Sequence, residues 1–167
     1  GHDVWIAARD AEAGRRAAEE LDARFVALDV TDEQSVAAAA EAVRAAGTGL
    51  DVLINNAGIS GGMIPPLETT VDAMTRVFDT NVFGVVRVTH ALLPLLQRSS
   101  SPVVVNVSSG LGSLSLAASA DSPTHFYPGV AYPASKAAVN MVTVQFAKQF
   151  PGFRINAVEP GYTNTAL

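Results

Sequence analysis

Five short apolar runs recur along the chain, at residues 4–8, 25–30, 50–54, 102–107 and 154–158. They are continuous rather than alternating, as expected for strands covered on both faces. The segments between them carry helical patterns. Residues 11–23 are rich in Ala, Glu and Arg, which are good helix formers. Thr31 followed by Gln34 fits a capping box, and the helix it predicts runs to about Ala46, where Gly47 stops it. From Thr69 to about Gln97, the apolar positions Met74, Val77, Phe78, Val82, Val85 and Val86 follow a helical period. Pro94 predicts a bend or an end there. Residues 132–150 predict another helix, closed by Pro151-Gly152. No hairpin signal separates the strands. The pattern therefore predicts an α/β fold: one domain over residues 1–167, a parallel sheet with helices on both faces. Residues 110–131, with Pro123 and Pro128, read as a long irregular loop.

Composition narrows the function classes. Hydrophobic residues make up 49% of 167, enough for a real core. The net charge is −5 and no run of Lys or Arg stands out, which argues against nucleic acid and anionic membrane as partners. There is no cysteine, so disulfides, thiolate metal sites and cysteine nucleophiles are excluded. No apolar run approaches the roughly 18 residues of a membrane span. The first residues lack the pattern of a signal peptide. A cytoplasmic protein is the expectation. His2, His90 and His125 show no metal-ligand spacing, so no metal is expected.

Several residues could carry chemistry. The third run ends in Asn55-Asn56-Ala57-Gly58. Asparagines are poor strand residues, and sites in open α/β sheets lie at the carboxyl ends of strands. Tyr132 and Lys136 share a helix face. A free phenol has a pKa of about 10, and a nearby ammonium favours its ionised form. The pair could move a proton to or from a substrate oxygen; it could equally be an ordinary surface pair. Ser109 ends the fourth run, where it either bonds a substrate oxygen or starts a turn. The Gly-x-Ser-x-Gly elbow of hydrolases is absent. Asn81 sits inside the long helix, where asparagine competes with backbone bonds. It is either a packing oddity or part of a site.

In chain order, Asn55-Asn56-Ala57-Gly58, Asn81, Ser109, Tyr132-x-x-x-Lys136 and Pro160-Gly161 resemble the classical short-chain dehydrogenase/reductase family, over nearly the whole chain. The resemblance implies a Rossmann-type doubly wound sheet that binds a nicotinamide dinucleotide. It implies that Asn81, Ser109, Tyr132 and Lys136 form the catalytic tetrad. Tyr132 would be the general acid/base, Ser109 would orient the substrate oxygen, and Lys136 would lower the tyrosine pKa and hold the nicotinamide ribose. Asn81 would hold a relay water in a locally distorted helix. Asn56, Ala57 and Gly58 would lie along the cofactor, while Asn55 would tie neighbouring strands. Asp29 and Val30 would flank the adenine. Pro160, Gly161, Thr163 and Thr165 would lie over the nicotinamide. The substrate implied is a small carbonyl or alcohol, and the long helices at 69–97 and 132–150 are the family's usual faces for homo-oligomers.

Cofactor choice has a physical reading. An acid after the strand binds the ribose hydroxyls of NAD, whereas an arginine accommodates a 2′-phosphate. Ala8 stands where the acid would, and Arg9 follows. NADP(H) is therefore expected over NAD(H), with Arg9 on the phosphate.

Two departures from the family pattern carry expectations of their own. Its Gly-rich phosphate turn has no counterpart before Val4, and its usual last helix and strand have none after Thr165. The chain thus reads as a partial domain lacking the first strand, in which strands 4–8 and 25–30 have nothing to join them to strand 50–54. The alternative function is a non-catalytic relic that binds no dinucleotide. The other departure is the spacing of Ser109 and Tyr132, longer than is common and similar to carbonyl reductases. Tyr127 rivals Tyr132, but the residue four positions on is Ala131 rather than lysine.

Overall fold

In the computed structural model, which describes residues 2–161, the first helix is set by one side chain. The Asp10 carboxylate accepts the N–H groups of Glu12 and Ala13, both at 3.0 Å. These are N–H groups that the helix itself leaves unpaired. Asp10 thus links β1 (Trp5–Ala8) to α1 (Ala11–Glu20). β2 (Arg24–Ala27) follows, then α2 (Glu33–Ala45) and β3 (Val52–Asn55). Next come α3 (Val71–Phe78), α4 (Gly84–Leu96) and β4 (Val103–Val107). The described elements end with α5 (Leu114–Ala118), α6 (Ala131–Gln149) and β5 (Arg154–Val158).

All strand pairs are parallel, and the strands fall into two sheets, β1–β2 and β3–β4–β5. No backbone ladder joins them, as expected for strands 4–8 and 25–30. Side chains bridge the gap instead. Val36 of α2 packs in one cluster with Leu53, Val88, Leu96, Val104 and Ile155, and Leu28 and Val30 lie against it.

Four expectations need correction. Asp32, not Thr31, caps α2: its carboxylate accepts the N–H groups of Gln34 and Ser35, whereas the Thr31 hydroxyl donates to Asp29. An acceptor one residue nearer the helix won. The helix over 69–97 is two α segments joined by a π turn at Asp79–Phe83, and Pro94 lies inside α4, two residues before its end. Residues 110–131 are not a plain loop. They hold α5 and two 3₁₀ turns, capped by Ser109, Ser113 and Ser122. Such pieces are too short to show a period. Finally, β3 is not covered on both faces: Leu53 and Asn55 are buried, whereas Val52 and Ile54 are exposed.

Candidate active site

A buried polar chain crosses the sheet at the carboxyl end of β3. Asn55 donates from Nδ2 to Thr89 Oγ1 of α4 at 3.1 Å and to Asn106 Oδ1 of β4 at 2.8 Å. Asn106 in turn donates to Thr143 Oγ1 of α6 at 2.8 Å. Asn55 and Asn106 are partners in register, so Asn55 does tie neighbouring strands. Its buried amide is satisfied rather than left as a cost. Asn56 and Ala57, the next residues, are exposed. Gly58 passes close to two other candidates: a Cβ there would stand 3.4 Å from Asn81 Oδ1 and 3.7 Å from Lys136 Nζ.

Asn81 lies in the π turn and is 1% exposed. Its Oδ1 accepts the Ile59 N–H at 2.8 Å, and its Nδ2 donates to Ile59 O at 3.0 Å and to Ser135 Oγ at 2.9 Å. Extra backbone room in a π turn is a frequent mark of functional sites. Ser135 is fully buried and donates to Tyr132 O at 2.7 Å. One chain of bonds thus runs from the loop after β3, through Asn81 and Ser135, to the backbone of Tyr132.

Tyr132 and Lys136 lie on the first turns of α6. The Lys136 ammonium stands 5.5 Å from the centre of the Tyr132 ring and donates to Val107 O at 2.7 Å. Burial pushes the lysine pKa down. Burial also pushes the Tyr132 phenol up, and a hydrogen bond with Ser109 partly opposes this. The Ser109 hydroxyl accepts the Leu111 N–H at 3.2 Å, so it starts a turn. Gly112 closes this turn against α6. A Cβ on it would meet Lys136 C at 2.6 Å and Ala137 N at 2.8 Å, so only glycine allows the approach. The rival Tyr127 is near enough for Tyr132 to raise its pKa, after burial, which is the larger cause.

Asp29 and Val30, the candidates for the adenine end, follow β2. Asp29 Oδ1 accepts the N–H and hydroxyl of Thr31 at 2.9 and 2.7 Å. These bonds hold its pKa down, the hydroxyl most, with Arg9 adding to the effect. Arg9 is exposed, and Asp10 is occupied in capping α1. Val30 is half-buried. Pro160 and Gly161 are exposed, with Gly161 at φ +79°. Thr163 and Thr165 lie outside the described residues. Among the described residues, no group of His, Asp and Glu could hold a metal. No helix there is long and apolar enough to cross a membrane. His125 bonds Ala117 O, and His90 packs on Phe146.

Sequence reasoning missed Ser135, Asn106, Thr89 and Thr143. A serine inside a predicted helix, one residue before Lys136, was a usable signal, since serine is a weak helix former.

A family model described as short chain dehydrogenase matches residues 1–167. The chain belongs to the short-chain dehydrogenase family. A short-chain dehydrogenase from Penicillium roqueforti is 34% identical, over 98% of this chain and 69% of its own length. A cis-4-hydroxycyclohexanecarboxylate dehydrogenase from Sinomonas cyclohexanicum is 38% identical, over 99% of this chain and 60% of its own length. Among solved structures, an NADPH-bound carbonyl reductase from chicken fatty liver superposes with a TM-score of 0.83 at 30% identity. That match covers 95% of this chain and 68% of the reductase. This chain therefore corresponds to only part of the short-chain dehydrogenase fold, and that part is a Rossmann-type α/β sheet.

Proposed function

We propose that this chain carries the catalytic centre of an NADP(H)-dependent oxidoreductase that interconverts a small carbonyl compound and its alcohol. The observation that carries the reading is the Lys136 ammonium 5.5 Å from the centre of the Tyr132 ring, with Ser109 near enough to oppose the upward shift of the phenol.

The residues fit a dinucleotide. Asn56 and Ala57 are exposed and Gly58 is half-buried, and the small side chains at 57 and 58 would let the cofactor approach the backbone. An ammonium has three N–H donors, and Val107 O is the one hydrogen-bond acceptor facing Lys136 Nζ among the described residues. Donors remain for a ribose hydroxyl. Asp29 and Val30 would hold the adenine. Arg9, exposed next to Ala8, would hold the 2′-phosphate. Pro160 and Gly161 would cover the nicotinamide, with Thr163 and Thr165 completing that segment. When bound, the dinucleotide supplies or takes up the hydride.

The chain's own residues handle the proton. In the reducing direction, the Tyr132 O–H gives its proton to the substrate oxygen as negative charge develops there. The raised phenol pKa keeps that proton in place at neutral pH. The Ser109 hydroxyl turns from the phenol to the same oxygen and orients it. Lys136, next to the ring, stabilises the phenolate left behind. Both Nδ2 protons of Asn81 are committed, so a relay water there would donate to one of its oxygens. Phe83, exposed at the end of the π turn, and Met141 and Val144, exposed on α6, favour self-association. We place the protein in the cytoplasm, with neither nucleic acid nor membrane as partner.

The test is a fluorescence titration with NADPH, followed by a screen of carbonyl substrates on wild type and Tyr132→Phe. The expected result is saturable binding by both and turnover by wild type alone. Undiminished turnover by Tyr132→Phe removes the residue from the mechanism. No binding by a folded chain supports the relic instead.

A further inference from the structure

Arg87 lies on α4, away from the proton-transfer residues, and its side chain is 21% exposed. Its guanidinium meets three different segments. Nε donates to Glu33 Oε1 of α2 at 2.9 Å. Nη1 donates to Val30 O and to Asp79 O, both at 3.3 Å. Nη2 pairs with Asp79 Oδ1 at 2.8 Å. The contacts differ in value. The Glu33 side chain is 77% exposed, and an exposed pair contributes little. The bonds to Val30 and Asp79 lie deeper and use the fixed fork of the guanidinium, which a lysine lacks.

The two ends of this fork are informative. Val30 follows Asp29 at the adenine side of the proposed cleft. Its side chain rests on Gly84, where a Cβ would stand 2.8 Å from Val30 Cγ2, so the close seat requires glycine. Asp79 opens the π turn that carries Asn81, and Asn81 holds both backbone groups of Ile59, next to Gly58. Arg87 is therefore the one side chain among the described residues that bonds both the Val30 backbone and the turn bearing Asn81.

We propose that Arg87 is a positioning residue that locks the segment at residues 29–31 to the Asn81 turn, so that both ends of the dinucleotide cleft are set as one unit. This deepens the reading above and rests on it for the nature of the ligand. Dinucleotide affinity and the placement of Asn81 then depend on a residue that need touch neither substrate nor cofactor.

The test is amide hydrogen exchange on the full 167-residue chain without cofactor. Two reporters are read. The Thr31 N–H donates to Asp29, and the Ile59 N–H donates to Asn81. In Arg87→Met, both should exchange about tenfold faster, while amides of β4 and β5 keep wild-type rates. Arg87→Lys keeps the charge but not the fork; both reporters should rise together by a smaller factor. It carries the test if the methionine variant does not fold. Glu33→Ala removes only the exposed arm and should leave Ile59 unchanged. A rise at Thr31 without one at Ile59 overturns the proposal, and so does an equal rise at every amide. A parallel NADPH titration separates this idea from the proposed function. Coupled exchange in a chain that never binds NADPH keeps the clamp and removes the cofactor. NADPH binding and Tyr132-dependent turnover with uncoupled exchange do the reverse.

Discussion

Asn81 treats Ile59 as a neighbouring strand would. Its Oδ1 accepts the Ile59 N–H at 2.8 Å and its Nδ2 donates to Ile59 O at 3.0 Å. Replacing Asn81 with Ala removes the partner of both Ile59 backbone groups at a part-buried site and leaves the Ser135 hydroxyl only its bond to Tyr132 O. The expected loss is about 1–3 kcal/mol of unfolding free energy, read by urea denaturation. A loss below about 0.5 kcal/mol, the level of an ordinary surface change, would show that these bonds are not maintained in solution.

Gly112 predicts a different kind of failure. An added methyl has no room, since its nearest neighbours are α6 backbone atoms at 2.6 and 2.8 Å. Gly112→Ala should cost about 1–3 kcal/mol and shift the Ser109 turn relative to Tyr132. The shift is visible as an altered phenol environment in the ultraviolet difference spectrum. A variant with wild-type stability and spectrum would mean that the turn can move aside freely.

The phenol of Tyr132 gives a pH prediction. Burial raises its pKa above the ordinary 10.0. The difference between wild-type and Tyr132→Phe titration curves at 295 nm should therefore show a midpoint above 10.0. The unfolded chain ionises at its ordinary value, below the folded one. The stability contributed by the buried neutral phenol is thus complete below 10.0 and lost as pH rises through the folded value. A midpoint below 10.0 would mean that Ser109 and Lys136 outweigh burial.

Arg9 tests cofactor choice. Arg9→Ala should weaken NADPH by about tenfold through loss of a charge-assisted contact to phosphate, and leave NADH nearly unchanged. Parallel fluorescence titrations decide it. Equal losses for both would show that Arg9 does not read the phosphate.

Much of this was legible in the residues, for physical reasons that differ by element. The five strands announced themselves through short apolar runs, although only 4–8 is apolar throughout and 154–158 carries Arg154 and Asn156. The residues alone left Asn81 as a packing oddity or part of a site in a continuous helix; the local distortion came only with the family resemblance, and its kind, a π turn, did not. The polar chain from Thr89 to Thr143 stayed hidden. Its four members are far apart in sequence, and only strand register brings Asn55 opposite Asn106. Arg87 was equally silent, since an arginine on a helix usually reads as solvated surface. The capping of α2 went wrong by one residue because both Thr31 and Asp32 are acceptable caps, and only the backbone at Asp32 selects between them.

The division of the strands into two sheets has a consequence for how the molecule comes apart. A continuous ladder transmits opening from strand to strand, whereas here the ladder stops at β1. With no strand ladder joining the two sheets among the described residues, the β1–β2 layer is held to the rest through Leu28 and Val30, which follow it, by packing on the α2 cluster and by the Arg87 bond to Val30 O. It should melt first and by itself, as a low-stability cooperative unit. The chain's single tryptophan, Trp5, lies inside that layer with the Arg24 guanidinium over its ring at 5.4 Å. Its fluorescence should report an early transition at urea concentrations where the helical circular dichroism of the remainder is still largely intact.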